Sequence, residues 1–197
     1  MHKFAPNHAD ILERTQRFSE LSPERIFEIL PPCEGDTVLD VGAGTGYLTF
    51  PLSEKVGRTG KIYAIDVQEA MLDKLRDKMS EKGLENIEVV KSREDHIPLD
   101  NAVAHKCYCS NVLHELQGKG TLQEVYRILQ PLGKLCIIDW KKVRGRRGPP
   151  VHERLSKSEA TKLIESVGCE VTHVTDIGKH HFLIMAKKNS KKRENTA

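Results

Sequence analysis

The chain has 197 residues, 38% of them hydrophobic and 30% charged, with a formal net charge of +3. That length can bury the core of one domain without disulfides or a structural metal, and no apolar run approaches the roughly 20 residues needed to span a bilayer. The first ten residues hold no apolar stretch of the kind a secretory signal needs, so a cytoplasmic protein with no membrane partner is expected. Five cysteines without a CxxC spacing are expected to be reduced and mostly buried. Residues 187–197 carry five basic side chains against one acidic, and without them the charges nearly cancel. Residues 188–197 therefore read as a solvated, disordered tail rather than a nucleic-acid arm.

In chain order, Ser22 is placed to cap a helix with Pro23 at its first position, running through Ile26, Phe27, Ile29 and Leu30 to Pro31-Pro32. Residues 37–41 form a short apolar strand, a helix follows from about Tyr47, and residues 61–66 form the next strand, the spacing of a βαβ unit. A long amphipathic helix carries Ala70, Met71, Leu75 and Met79 on one stripe and ends at Gly83. Residues 87–90 read as a third strand and 102–110 as a fourth. A helix over 122–129 closes on a Pro131-Leu132-Gly133 turn, which delivers a fifth strand over 134–139. Beyond a basic loop, Ser156 and Glu159 have capping-box spacing for a helix running to Gly168, and 170–174 with 181–187 end the sheet as a hairpin. The expected fold class is α/β: a single Rossmann-like, doubly wound sheet of about seven strands, mostly parallel with an antiparallel last strand and helices on both faces.

The first strand runs into Asp40-Val41-Gly42-Ala43-Gly44-Thr45-Gly46, and the second ends in Asp66, twenty residues after Gly46. Glycines let the backbone pass close to a ligand at the carboxyl end of the strand, and a carboxylate ending the second strand can accept both ribose hydroxyl hydrogens. A nucleoside site follows. A dinucleotide turn reads GxGxxG and seats a pyrophosphate on a helix N-terminus. Here the pattern is DxGxGxG, and an acidic Asp40 suits a cationic amino or sulfonium group better than a diphosphate.

The stretch 38–49, VLDVGAGTGYLT, resembles motif I of the class I S-adenosylmethionine-dependent methyltransferases, and Tyr63-Ala64-Ile65-Asp66 resembles their second-strand motif. Ile97-Pro98-Leu99, the residues from Ser110 to Glu115, and 127–135 continue the likeness. Together they are similar to the type 11 subgroup, which includes the ubiquinone and menaquinone biosynthesis methyltransferases. The resemblance spans roughly residues 20–187 and implies a methyltransferase domain over 22–187 with S-adenosylmethionine as cofactor. It puts Asp40, Gly42, Gly44 and Gly46 around the methionine part, Asp66 on the ribose, and Val67 and Met71 beside the adenine. Ala43, Tyr47, Ser110 and Asn111 are counted with the cofactor-binding positions. Many relatives have a GDA-type turn whose acidic residue faces the adenine amino group. This chain reads Ser92-Arg93-Glu94-Asp95 there, so Glu94 and Asp95 are both candidates. Relatives also start the fourth strand with an aspartate, where this chain has Ala104-His105.

Methyl transfer from a sulfonium is an in-line displacement in which alignment supplies much of the rate, and a base is needed only when the nucleophile must lose a proton. Cys109-Ser110-Asn111-Val112 lacks the NPPY-like pattern of base-amino methylating enzymes, so a small-molecule methyl acceptor is expected. The alternatives are a non-catalytic S-adenosylmethionine-binding module and an RNA or protein methyltransferase. His114 and His152 are the candidate catalytic residues on the acceptor side. The other reading of His114 is a histidine packed against the sheet and satisfied by a neighbour. Cys107 and Cys109 share a strand face and read as core rather than as metal or arsenic ligands, and no metal is expected. The basic run Lys141-Lys142-Val143-Arg144-Gly145-Arg146-Arg147 reads as a solvated loop, with an anionic acceptor or a nucleic-acid backbone as its functional alternative. Residues 1–21 read as a lid over the acceptor.

Overall fold

The computed structural model describes residues 21–145 and 147–190. Its strands are β1 (Thr37–Val41), β2 (Lys61–Asp66), β3 (Ile87–Lys91), β4 (Ala104–Ser110), β5 (Leu129–Trp140), β6 (Cys169–Ile177) and β7 (His181–Lys188). They form one sheet in the order β3-β2-β1-β4-β5-β7-β6. Pairings among β1 to β5 are parallel, and β7 runs antiparallel to both its neighbours, β5 and β6. The helices are α1 (Pro23–Ile29), α2 (Thr49–Val56), α3 (Glu69–Lys82), α4 (Gly120–Ile128) and α5 (Lys157–Glu165).

Alternation along the central strands sorts the core into two layers. Leu39, Val41, Cys107, Cys109, Leu135, Ile137, Phe182 and Ile184 face α4 and α5 through Leu122, Val125, Ile128, Ala160 and Ile164. Val38, Tyr108, Cys136, Ile138 and Leu183 face α1, α2 and α3 through Ile26, Phe27, Leu52, Val56 and Leu75. Cys107 and Cys109 are thus core residues on one face, and burial pushes both thiols up. Local signals agree with this packing. Ser22 Oγ accepts the Arg25 N–H at 3.4 Å, Gly83 ends α3 at φ 61, and the capping box of Ser156 and Glu159 opens α5.

Several boundaries differ from expectation. Ala70 is exposed, and the buried stripe of α3 is Met71, Leu72 and Leu75, because Glu69 and Ala70 lie on the solvent side of the helix. The helix expected from Tyr47 starts at Thr49, since Gly46 at φ 96 lies outside helical space. The fourth strand starts at Ala104, after Ala102 at φ 56. Pro131-Leu132-Gly133 is a bulge inside β5 rather than a turn before it. The register passes from Ala104↔Leu129 to Lys106↔Lys134, with Leu132 at φ 64. Pro131 has no N–H for the ladder, so the strand bows out there.

Lys188 is not part of a disordered tail. It lies in β7, donates to Leu129 O at 2.6 Å and Arg127 O at 3.3 Å, and sits 4.7 Å from the Tyr126 ring centre. The rest of the tail from residue 191 and the lid segment before Leu21 lie outside the described residues. Leu21 itself is a core residue. His105, which stands where relatives carry aspartate, accepts the Thr37 N–H through Nδ1 at 2.8 Å. An imidazole nitrogen therefore supplies the acceptor at the open start of β1. Phe182 is fully buried between layers, so Phe182→Ala should lower unfolding free energy by about 3–5 kcal/mol, measured by denaturant titration.

Candidate cofactor and acceptor site

In an open doubly wound sheet the crevice lies outside the carboxyl ends of the strands, where the order reverses. Here that point is between β1 and β4. The glycine turn leaves β1 at this point and is tied to the end of β2. Gly42 and Ala43 donate to Ile65 O at 2.8 and 3.0 Å, and Gly44 donates to Asp66 Oδ2 at 2.9 Å. A Cβ on Gly42, at φ 72, would sit 2.1 Å from Val112 Cγ2, so Val112 packs directly on the glycine backbone. A Cβ on Gly46 would sit 2.4 Å from the Phe50 ring. Both positions require glycine, and between them the turn presents bare backbone at the mouth of the crevice.

Asp66 also takes the Gln68 N–H on Oδ1 at 2.9 Å. Its burial raises its pKa, opposed by the Gln68, Gly44 and Val67 N–H groups and the Lys91 charge. Val67 adjoins it with its carbonyl engaged by Lys91 Nζ at 2.6 Å, and Met71 is buried one turn into α3. Asp40 is almost fully buried and accepts the Thr49 hydroxyl on Oδ2 at 2.6 Å, which joins β1 to the start of α2. Tyr47 donates its hydroxyl to Leu21 O, bringing the residues that precede α1 to the glycine turn. Glu94 and Asp95 sit at the tip of a tight turn closed by Arg93 and His96. Asp95 is exposed and 3.7 Å from Arg93 Nε, whereas Glu94 is half-buried.

At the end of β4, Ser110 Oγ and Asn111 Oδ1 are buried with no hydrogen-bond partner. Asn111 is held at φ 60 while its N–H donates to Ile138 O at 2.8 Å. Buried polar atoms left in this way call for a polar ligand or water. They flank the same crevice as the glycine turn and Asp66. The donor set suits a nucleoside carrying a cationic amino acid: acceptors for hydroxyls at Asp66, and close-approach backbone at the glycines.

His114 lies in a 3-10 turn, Leu113–Glu115, directly after β4. It is buried. Its ring donates Nδ1–H to Asp139 Oδ1 at 2.7 Å, and its main-chain N–H donates to Asp139 Oδ2 at 2.9 Å. Asp139, at the carboxyl end of β5 and 1% exposed, also accepts the Trp140 N–H at 2.6 Å. The other ring nitrogen, Nε2, lies 3.7 Å from Glu115 Oε1. Burial lowers the His114 pKa, but the Asp139 hydrogen bond and the charges of Asp139, Glu115 and Glu153 outweigh it, and the net shift is upward. His152, by contrast, has an 81% exposed side chain. Its neighbours Glu153 and Arg154 are the inward residues of that segment, so His114 is buried where His152 is turned to solvent.

Asp139 and Arg154 are the site-side residues that the sequence reading passed over. Arg154 folds back under the basic loop, donating to Pro149 O at 2.8 Å, Lys141 O at 3.1 Å, Val143 O at 3.2 Å and Arg147 O. Its guanidinium is 5.5 Å from the Trp140 ring centre. The available signal for Asp139 was an acidic residue closing an apolar strand, the same signal that marked Asp66. Lys141 and Lys142 are paired with Asp176 and Glu159, each at 3.1 Å, which leaves fewer free cations for an anionic partner. Cys33, in the dipeptide Pro32-Cys33, lies before β1 at the amino end of the sheet beside Lys106 and so is remote from the crevice. Among the described residues, no group of His, Cys, Asp and Glu is arranged to hold a metal ion, and no helix is long and apolar enough to cross a membrane.

Sheet order, glycine turn and second-strand carboxylate together define the class I methyltransferase fold. The chain belongs to the ubiE/COQ5 methyltransferase family, whose pattern matches residues 19–148. It is 33% identical over 126 residues to the ubiquinone/menaquinone biosynthesis C-methyltransferase UbiE of Escherichia fergusonii, covering 63% of this chain and 47% of that protein. The chain thus spans about half the length of the curated relatives it matches. Among solved structures, an S-adenosylmethionine-dependent methyltransferase from Aquifex aeolicus superposes with a TM-score of 0.90 and 38% identity, covering 94% of this chain and 99% of that one. The [4+2]-cyclase SpnF shares the fold at a TM-score of 0.77 and 16% identity, over 89% of this chain and 83% of that one. The architecture therefore does not by itself dictate the reaction.

Two outcomes follow from this geometry. Gly42→Ala should lower stability by at least about 2 kcal/mol through left-handed strain and the Val112 clash, and adding Val112→Ala should recover part of it in thermal melts. A histidine whose folded pKa is raised adds stability that is complete below the unfolded value and lost as pH rises through the folded one. The stability gap between wild type and His114→Gln should therefore be larger at about pH 5.5 than at about pH 9, measured by urea titration.

Proposed function

We propose that this protein transfers a methyl group from S-adenosylmethionine to a carbon atom of a small quinone-type acceptor. The observation that carries the reading is the coupling of Asp66 to the glycine turn through Gly44, which sets a ribose-accepting carboxylate against bare backbone. When bound, the cofactor supplies an electrophilic methyl on a sulfonium. The chain's part is to seat and align it. Asp66 holds the ribose hydroxyls with its remaining lone pairs; Val67 and Met71 flank the adenine. Glu94, less exposed than Asp95, faces the adenine amino group. Gly42, Ala43, Gly44 and Gly46 admit the methionine part, Asp40 adds negative potential behind it, and Ser110 and Asn111 supply its remaining polar contacts. The quinone-type acceptor and carbon as the methylated atom are taken from the names of the curated relatives.

The segment before Leu21 serves as a lid, because the Tyr47 hydroxyl fixes its exit at the glycine turn. A lid excludes water from the sulfonium and commits the acceptor. S-adenosylhomocysteine should raise the melting temperature and NAD should not, since only a ligand of the native state shifts the folding equilibrium. Asp66→Ala should weaken S-adenosylhomocysteine by about 1.5–3 kcal/mol in calorimetric titration. Only the ionised carboxylate accepts both hydroxyls, so wild-type affinity should fall as pH drops through the raised pKa of Asp66. A larger melting shift with NAD, or unaltered affinity in the variant, would remove this reading.

A further inference from the structure

The corner between β4 and β5 holds a pair of buried ionisable side chains that cofactor binding does not use. Asp139 closes β5 and His114 opens the turn after β4, and the two strands are neighbours in parallel register, with Ser110 opposite Ile138. Two of the carboxylate's hydrogen bonds go to one residue, the ring and the main chain of His114. Such two-point attachment fixes both the position of the turn and the orientation of the imidazole. Because a carboxylate can only accept, Nδ1 carries the proton, and the neutral ring presents a lone pair at Nε2. Three residues separate His114 from Ser110, whose unpartnered hydroxyl borders the cofactor crevice.

We propose that His114, oriented by Asp139, is the catalytic group that takes a proton from the methyl acceptor. The inference rests on the methyl-transfer reading above and adds the proton's destination. A phenolic acceptor becomes a strong carbon nucleophile only when its hydroxyl is ionised. The O–H proton passes to Nε2, and the O–H electron pair stays with the acceptor and is delocalised onto the ring carbon, which takes the methyl as the S–CH3 bond breaks and S-adenosylhomocysteine leaves with that bond's electron pair. With the methyl in place, the proton on that carbon leaves to water, and the imidazolium returns its proton to the oxygen. One proton is released for each methyl transferred. Asp139 is a positioning residue: it selects the tautomer and stabilises the imidazolium.

The groups facing His114 come from three elements. Asp139 belongs to β5, Glu115 to the same 3-10 turn, and Glu153 to the Val151–Glu153 turn. Arg154 acts electrostatically on Asp139. The three carboxylates favour the imidazolium and outweigh burial, in agreement with the raised pKa. Turnover by a neutral base must then rise with pH through a midpoint above 6.5.

The test uses the full chain with S-adenosylmethionine and 1,4-dihydroxynaphthalene, kept reduced, as the acceptor probe. Wild type should methylate it, with kcat/KM rising to a plateau above that midpoint. His114→Gln should lower kcat by about 10²- to 10⁴-fold with S-adenosylhomocysteine affinity unchanged. Asp139→Asn should lower kcat and move the midpoint down by about one pH unit or more, because the carboxylate that favours the imidazolium is gone. A merely structural pair would alter stability and leave the profile of the folded fraction in place, and that result overturns the proposal. Should Asp139→Asn fail to fold, the wild type decides. The His114 ring nitrogens, followed by NMR in the S-adenosylhomocysteine complex, should show an Nδ1–H tautomer and shift at Nε2 when the naphthalenediol is added. No shift overturns the proposal. A chain that binds S-adenosylhomocysteine but leaves the diol unmethylated also overturns it, whereas a chain that binds no S-adenosylhomocysteine refutes the cofactor reading instead.

Discussion

Three consecutive backbone N–H groups of the glycine turn are committed to the end of β2, two on the Ile65 carbonyl and one on the Asp66 carboxylate. The rest of the site depends on this tether. It holds an otherwise loose run of glycines in one conformation, and it draws the carboxylate to the side of the turn where a ribose would lie. The same carboxylate oxygen that steadies Gly44 retains a lone pair for a hydroxyl. Structure and recognition therefore share one side chain, and desolvation of Asp66 is tolerated because amides compensate much of it.

Three strands of the sheet end in buried aspartates, and each solves the burial problem differently. Asp40 near the end of β1 takes a hydroxyl from Thr49, Asp66 at the end of β2 takes backbone amides, and Asp139 near the end of β5 takes an imidazole and two amides. All three are at the carboxyl end of the sheet, the side on which the crevice opens. A buried carboxylate needs hydrogen-bond donors or a positive charge. The partner chosen at each strand end then determines what remains available: little at Asp40, hydroxyl-accepting capacity at Asp66, and a histidine fixed in one tautomer at Asp139.

Much of the fold was legible because its signals are local. The strand alternation, the Ser22 and Ser156 caps, the Gly83 terminator and the DxGxGxG turn each act within a few residues, and the alternation of strands with helices marks the α/β class. What escaped is non-local or depends on phase. Ala70 lies on the solvent side of α3 and Leu72 on the core side, a phase that the apolar pattern did not distinguish. Leu132 adopts a left-handed conformation within β5 because Pro131 cannot serve the ladder, and no short pattern distinguishes that bulge from a turn. Lys188 looks like the start of a charged tail until β7 places its ammonium on the Arg127 and Leu129 carbonyls. At the site, His114 and His152 were equivalent as sequence features. Only the contact with Asp139, 25 positions away, separates the buried imidazole from the solvated one.

The acceptor side is more rigid than a run of basic and glycine residues suggests. Arg154 spends its donors on four carbonyls spread from Lys141 to Pro149, and its planar head lies over Trp140, whose ring centre is 4.0 Å from that of His181 at a tilt of 44°. A Cβ on Gly148 would come within 2.6 Å of the Trp140 ring, so the loop is packed down on this ring. A guanidinium satisfied by carbonyls keeps its charge, and that charge acts on Asp139, the residue that orients His114. The loop after β5 and the turn after β4 thus form one wall, joined through Trp140, Asp139 and Arg154. A wall built in this way keeps the His114 imidazole in one orientation, set by the carboxylate at the end of β5.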